Sequence, residues 1–89
     1  MNFTIHKFFS LLPSYRSTFT GCICDTLDMM HSKNEISFNE LRYLEIFLEP
    51  VEDTVNGYMR GIYSFLTLKL VLRNEYPFVK SMDLPKDSE

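Results

Sequence analysis

The segment from Asn34 to Pro50 constrains the fold more than any other, because both ends of a helix are written into it. Ser37 precedes Glu40 by three residues, the spacing of a capping box, in which the hydroxyl accepts from the Glu40 amide and the carboxylate accepts from the Ser37 amide. Ile36 before the cap and Leu41 four residues after it are placed as a hydrophobic staple, which fixes the direction of chain entry. Pro50 cannot continue a helix and biases Glu49 away from helical dihedrals, so the helix is predicted to end near Leu48 or Glu49. Leu41, Leu44, Phe47 and Leu48 form one apolar face, with Phe38, Tyr43 and Ile46 on its flanks or beyond. The narrow polar edge carries Arg42, Glu45 and Glu49, with Asn39 nearby. Such a helix is buried on more than one side or contributes to an interface, and small domains bury a smaller fraction of their surface than large ones.

The flanking sequence fits more helices around this one. Thr4 is placed to cap a short helix through His6, Phe8, Phe9, Leu11 and Leu12, closed by Pro13. Ser14 then caps a longer helix to about His31, with Phe19, Ile23, Leu27 and Met30 on one face; Gly21 and the threonines weaken its start, where residues 16–20 are open to an irregular path. The polar stretch from His31 to Glu35 suits a reversal, making a central antiparallel hairpin with the Ser37 helix. After Pro50, Glu52, Asp53 and Thr54 suit another helix N-terminus, and Val55, Met59, Ile62 and Leu66 continue at helical spacing. Residues 64–72 also alternate as a strand would, through Leu66, Leu68, Leu70 and Leu72, but no second alternating run exists to pair with them, so helix is preferred. Pro77 ends this element, Phe78, Val79 and Met82 tuck back on the core, and 84–89 reads as a frayed tail. The expectation is one all-α domain over residues 1–89, of three to four helices.

Composition narrows the function classes. With 45% hydrophobic and 24% charged residues the chain is globular, and eight Phe with five Tyr favour a self-associating or partner-binding face, hence a homo-oligomer. Charge is segmented: residues 1–24 carry only Lys7 and Arg16, residues 25–53 carry eight acids against Lys33 and Arg42, and residues 54–80 carry Arg60, Lys69, Arg73 and Lys80 against Glu75. The acidic middle pairs with basic segments of the same chain or faces a basic partner, and no basic stripe for nucleic acid exists. Cys22 and Cys24, with a single residue between them, are poorly spaced for a bridge and read as free thiols of a reducing compartment. No signal peptide is assigned, and the run from Phe65 to Leu72 contains Lys69 and is too short to span a bilayer. The default is a soluble, cytoplasmic protein.

No motif specifies chemistry. Ile36 and Glu40 fall where an EF-hand loop places its central Ile and bidentate Glu, but Met29, His31 and Lys33 would then hold the first ligand positions, where two cannot bind calcium and the third is poor. The reading is a capped hairpin instead. Cys24, Asp28 and His31 recur at i, i+4 and i+7 on one helix side, with Cys22 or His6 as a fourth candidate; without a paired ligand knuckle no metal site is assigned, and Cys24 reads as a small buried residue. Neither histidine is placed as a base for a cysteine nucleophile, and Gly21, Gly57 and Gly61 form no phosphate loop, so no enzymatic activity and no cofactor are assigned. Gly57 and Gly61 read as positions of close packing.

Two binding surfaces remain. Glu45, Glu49, Glu52 and Asp53 form an acidic edge suited to steering a protein partner. Tyr58, Arg60, Tyr63 and Arg73, with Lys69 and Tyr76, mix rings and cations suited to a nucleotide ligand, the alternative function being an oligomeric sponge for a nucleotide signal.

From Gly21-Cys22-Ile23-Cys24 through Leu27, Met30, Glu35-Ile36-Ser37, Glu40, Tyr43-Leu44 and Phe47-Leu48, the middle third resembles small accessory proteins of tailed bacteriophages. The resemblance implies a non-essential protein that acts in the infected bacterium by binding and inhibiting a host or defence protein. It carries no catalytic residues with it.

Overall fold

In the computed structural model of this chain, which describes residues 2–80 and 84–85, the Ser37 cap forms as expected. The Ser37 hydroxyl accepts from the Glu40 amide at 3.1 Å, and the Glu40 carboxylate accepts from the Ser37 amide at 2.9 Å. The capped helix spans Phe38–Leu48 and buries the expected face of Leu41, Leu44, Phe47 and Leu48. In chain order the helices are α1 (Asn2–Tyr15), α2 (Ile23–Ser32), α3 (Phe38–Leu48), α4 (Glu52–Met59), α5 (Phe65–Glu75) and the short α6 (Pro77–Lys80). Single 3-10 turns at Arg16–Thr18 and Glu49–Val51 follow α1 and α3. Helix α3 ends at Leu48, but contrary to expectation Glu49 keeps helical dihedrals (φ −51°, ψ −51°), because Pro50 sits in the first turn of the 3-10 segment, where its missing amide costs no bond. The class is all-α, and no strand occurs among the described residues.

The first helix is longer than its local signals predict. Thr4 lies inside α1 and is buried, its hydroxyl directed to Glu40 Oε2 at 3.4 Å, so it does not cap the helix. Ile5, Phe8, Phe9, Leu12 and Tyr15 make one buried stripe, and tertiary burial of that stripe outweighs a local cap. The helix passes through Pro13. Proline withholds one amide from the carbonyl four residues back, and the helix ends two residues later, so the loss falls within its last turn.

The second helix starts later than Ser14. Ser14 belongs to α1, residues 16–20 follow a non-α path, and α2 begins only after Gly21, whose φ of +102° no L side chain adopts readily. Phe19 is half-buried outside any helix, while Ile23, Leu27 and Met30 hold the expected face. At its other end Asn34 takes φ +60°, with Asn34 N–H to His31 O and Glu35 N–H to Met30 O both at 2.9 Å, a Schellman closure that turns the chain toward α3. Helices α2 and α3 pack against each other across this turn.

Gly61 divides the element expected to run from Val55 to Leu66. It takes φ +80°, and bonds from Gly61 N–H to Tyr58 O (2.9 Å) and Ile62 N–H to Gly57 O (3.0 Å) close α4 at Met59 by the same motif. Ser64 then caps α5, accepting from the Thr67 amide at 3.2 Å. Ile62 and Leu66 therefore leave the α4 face and are exposed. Residues 64–72 are helical apart from the cap itself, with Phe65, Leu68 and Leu72 buried. Val79 is buried and Phe78 is exposed, whereas Met82 lies outside the described residues. At the start of the expected frayed tail Leu84 is buried and the Pro85 carbonyl accepts from Lys69 Nζ at 2.8 Å; residues 86–89 lie outside the described residues.

Candidate functional site

The acidic edge is assembled where α3 passes through its 3-10 turn into α4. Burial of Phe47 and Leu48 turns the other side of α3 outward, which exposes Arg42, Glu45, Ile46 and Glu49. The continuous backbone from Leu48 through Val51 then presents Glu52 and Asp53 in the first turn of α4, where negative charge meets the positive end of the helix dipole. Glu45, Glu49 and Asp53 are exposed and Glu52 is half-buried. Arg42 Nε sits 4.0 Å from Glu45 Oε1, but with both side chains open to solvent this pair contributes little and leaves the edge acidic. Ile46, 72% exposed, lies beside Glu45 on this outer face, so the carboxylates accompany an apolar group that the sequence places on the flank of the apolar face or beyond it.

Helix α2 closes one side of this region. The Cys24 thiol is held above its ordinary range by burial, then by its hydrogen bond with Cys22 and the charge there, and then by the carboxylates of Glu52 and Glu45. Those two acids therefore act on one thiol although seven residues separate them in sequence. Cys24 is exposed, not the small buried residue expected. Asp28 is exposed, and His31 Nδ1 is 3.2 Å from the Ile36 carbonyl. Among the described residues, no three His, Cys, Asp or Glu side chains are grouped to hold a metal ion.

The aromatic and basic group is spread differently. Tyr58 is fully buried in the core, with the Arg16 guanidinium 4.2 Å from its ring centre. The Tyr63 hydroxyl donates to the Thr54 carbonyl, and its ring fills the space beside Gly57, where a Cβ would come within 2.7 Å of that hydroxyl. Burial is the main cause holding Tyr63 above the ordinary phenol range, followed by Glu75 and Tyr76. Lys69 is buried, its ammonium 5.2 Å from the Phe65 ring centre and bonded to Pro85 O. Arg60 and Arg73 are exposed, and Tyr76 is half-buried.

Two polar clusters escaped the sequence reading. Lys7 Nζ binds both Glu40 oxygens at 3.0 and 3.1 Å, so one carboxylate serves the α3 cap and ties α1 to it. The Ser37 amide is the main cause lowering the Glu40 carboxyl below its usual range, with Lys7 adding to it against burial. Arg16 donates from Nε to Tyr58 O at 2.9 Å and from Nη2 to Tyr63 O at 2.8 Å, clamping the α4–α5 turn. No spacing signal could have linked Arg16 to carbonyls more than forty residues away.

Among the described residues no helix is long and apolar enough to cross a membrane. Comparison with protein-family models, with curated proteins and with solved structures found no match to this chain.

Proposed function

We propose that this protein works by binding another protein through the edge formed by Glu45, Glu49, Glu52 and Asp53. The observation that carries this reading is the exposure of Ile46 beside those carboxylates. An apolar anchor supplies affinity once desolvated, while surrounding charge accelerates encounter with a basic surface and rejects acidic ones. The partner chemistry that fits is a basic patch with an apolar pocket. The resemblance of the middle third to small phage accessory proteins points to a host or defence protein in the bacterial cytoplasm as that partner, with inhibition by occlusion as the outcome. Exposed Ile62, Leu66 and Leu70 support self-association as a homo-oligomer. No nucleic acid, membrane, cofactor or catalytic step enters the proposal.

A nucleotide sponge is less well supported, because Tyr58 has no exposed ring and the Tyr63 hydroxyl is engaged within the fold. Native mass spectrometry of tagged protein from bacterial lysate tests the reading. The expected result is a stoichiometric protein adduct that is lost from the Glu45→Lys/Glu49→Lys variant and from Ile46→Asp. An adduct retained by both variants would refute the edge, and a homo-oligomer carrying a small ligand at each site would favour the sponge.

A further inference from the structure

Cys22 and Cys24 are the only cysteines of the chain, and both are exposed. Two residues apart within a strand their Cα atoms would be roughly 6.6 Å apart, near the upper limit that disulfides span, and within a helix their side chains would point roughly 200° apart. Here the pair straddles a boundary. Cys22 is the N-cap of α2, with φ −132° and ψ 124°, while Ile23 and Cys24 are the first two helical residues. The helical dihedrals of Ile23 bring the flanking Cα atoms to about 5.4 Å, the chord across two residues of a helix. That lies inside the range of about 4.4 to 6.8 Å that disulfides span. The extended dihedrals of Cys22 take its side chain off the helical direction, and the Cys22 side chain is among the groups that act on the Cys24 thiol.

We propose that Cys22 and Cys24 form a dithiol site that closes reversibly to an intrachain disulfide on reaction with a small disulfide oxidant such as oxidised glutathione. In the first step the Cys22 thiolate attacks one sulfur of the oxidant, whose S–S bond breaks; one glutathione thiolate leaves with the electron pair, and a mixed disulfide stands on Cys22. In the second step Cys24 gives its proton to solvent and attacks the Cys22 sulfur, expelling the second glutathione thiolate. The protein dithiol loses two electrons and two protons, and the oxidant is reduced to two thiols. The order follows from the surroundings of Cys24, since burial first, then Cys22 and the Glu52 and Glu45 carboxylates, raise this thiol above its ordinary range and disfavour its thiolate. Closure therefore quickens as pH rises. A ring this small is strained, which puts the bond among the easily reduced, labile disulfides and not the structural ones.

The test uses the full chain, reduced, incubated with oxidised glutathione, acid-quenched, alkylated with a maleimide and weighed intact. The expected product is a monomer lighter by two hydrogens, carrying neither glutathione nor maleimide, and restored by dithiothreitol. Cys24→Ser is expected to lose the closed form completely and to stop at one glutathione on Cys22. Cys22→Ser is expected to take up glutathione more slowly than Cys24→Ser, and equal rates would overturn the assigned order. Wild-type protein that carries two glutathiones, forms disulfide-linked dimers, or leaves both thiols open to maleimide would overturn the site itself.

Discussion

Removing the Glu40 carboxylate tests how α1 and α3 are held together. In Glu40→Ala two contributions disappear at once. The return bond of the capping box, 2.9 Å from the Ser37 amide, contributes about 1 kcal/mol, the ordinary net worth of a hydrogen bond. The two-oxygen contact with Lys7, at 33% and 14% side-chain exposure, lies between a solvated pair and a buried one and adds about 1 kcal/mol. The Thr4 contact at 3.4 Å is too long to add much. Glu40→Ala is therefore expected to lower unfolding free energy by about 2 kcal/mol in urea titration at neutral pH, with an unchanged denaturant slope. Glu40→Gln keeps an oxygen for the Ser37 amide and loses only the charge, at a cost of about 1 kcal/mol. Because the folded-state Glu40 pKa lies below its unfolded value, its ionic contribution is fully present above the unfolded carboxyl range and is lost as pH falls through the folded pKa. The wild-type and Glu40→Gln curves should thus converge in acid. A gap unchanged between neutral pH and pH values below the folded pKa, or a Glu40→Ala cost under about 0.5 kcal/mol, would refute the account.

Arg16→Ala removes two donors from the carbonyls of Tyr58 and Tyr63 and a cation from the Tyr58 ring, with an expected loss of about 2 kcal/mol by thermal or urea unfolding. Arg16→Lys should recover less than half of it, since an ammonium lacks the planar fork that reaches both carbonyls. Gly57→Ala should fail to stabilise α4 despite a helix-propensity gain of about 1 kcal/mol, because the new Cβ would lie 2.8 Å from a Tyr63 ring carbon and displace the ring from its bond to Thr54. In a Tyr63→Ala background the same change should become stabilising by about that amount, and a cycle with no coupling would count against this packing.

Legibility followed the range of the interactions. The Ser37–Glu40 box and the stop at Leu48 were readable because their partners lie within a few residues. The break between α4 and α5 was legible only in part: Gly61 and Ser64 are both visible in the sequence, but the repeat of Val55, Met59, Ile62 and Leu66 masked them, because that spacing fits one helix as well as two. At Thr4 and Pro13 local signals pointed to a shorter helix, and a continuous buried stripe overrode them. The acidic edge was legible as a charge cluster, since its residues follow one another along the chain. The aromatic group was not legible as a site, because spacing does not tell a solvent-facing ring from Tyr58, which is fully buried.

The sequence by itself determined the all-α class, the capped third helix and the acidic character of residues 45–53, because periodicity, capping and charge are local properties. Only the tertiary structure decided that Glu40 also binds Lys7, that Arg16 clamps the α4–α5 turn, that Tyr58 is core, and that Cys24 feels Glu45 and Glu52. Each of these joins residues distant along the chain, and such contacts exist only after packing has brought the helices together.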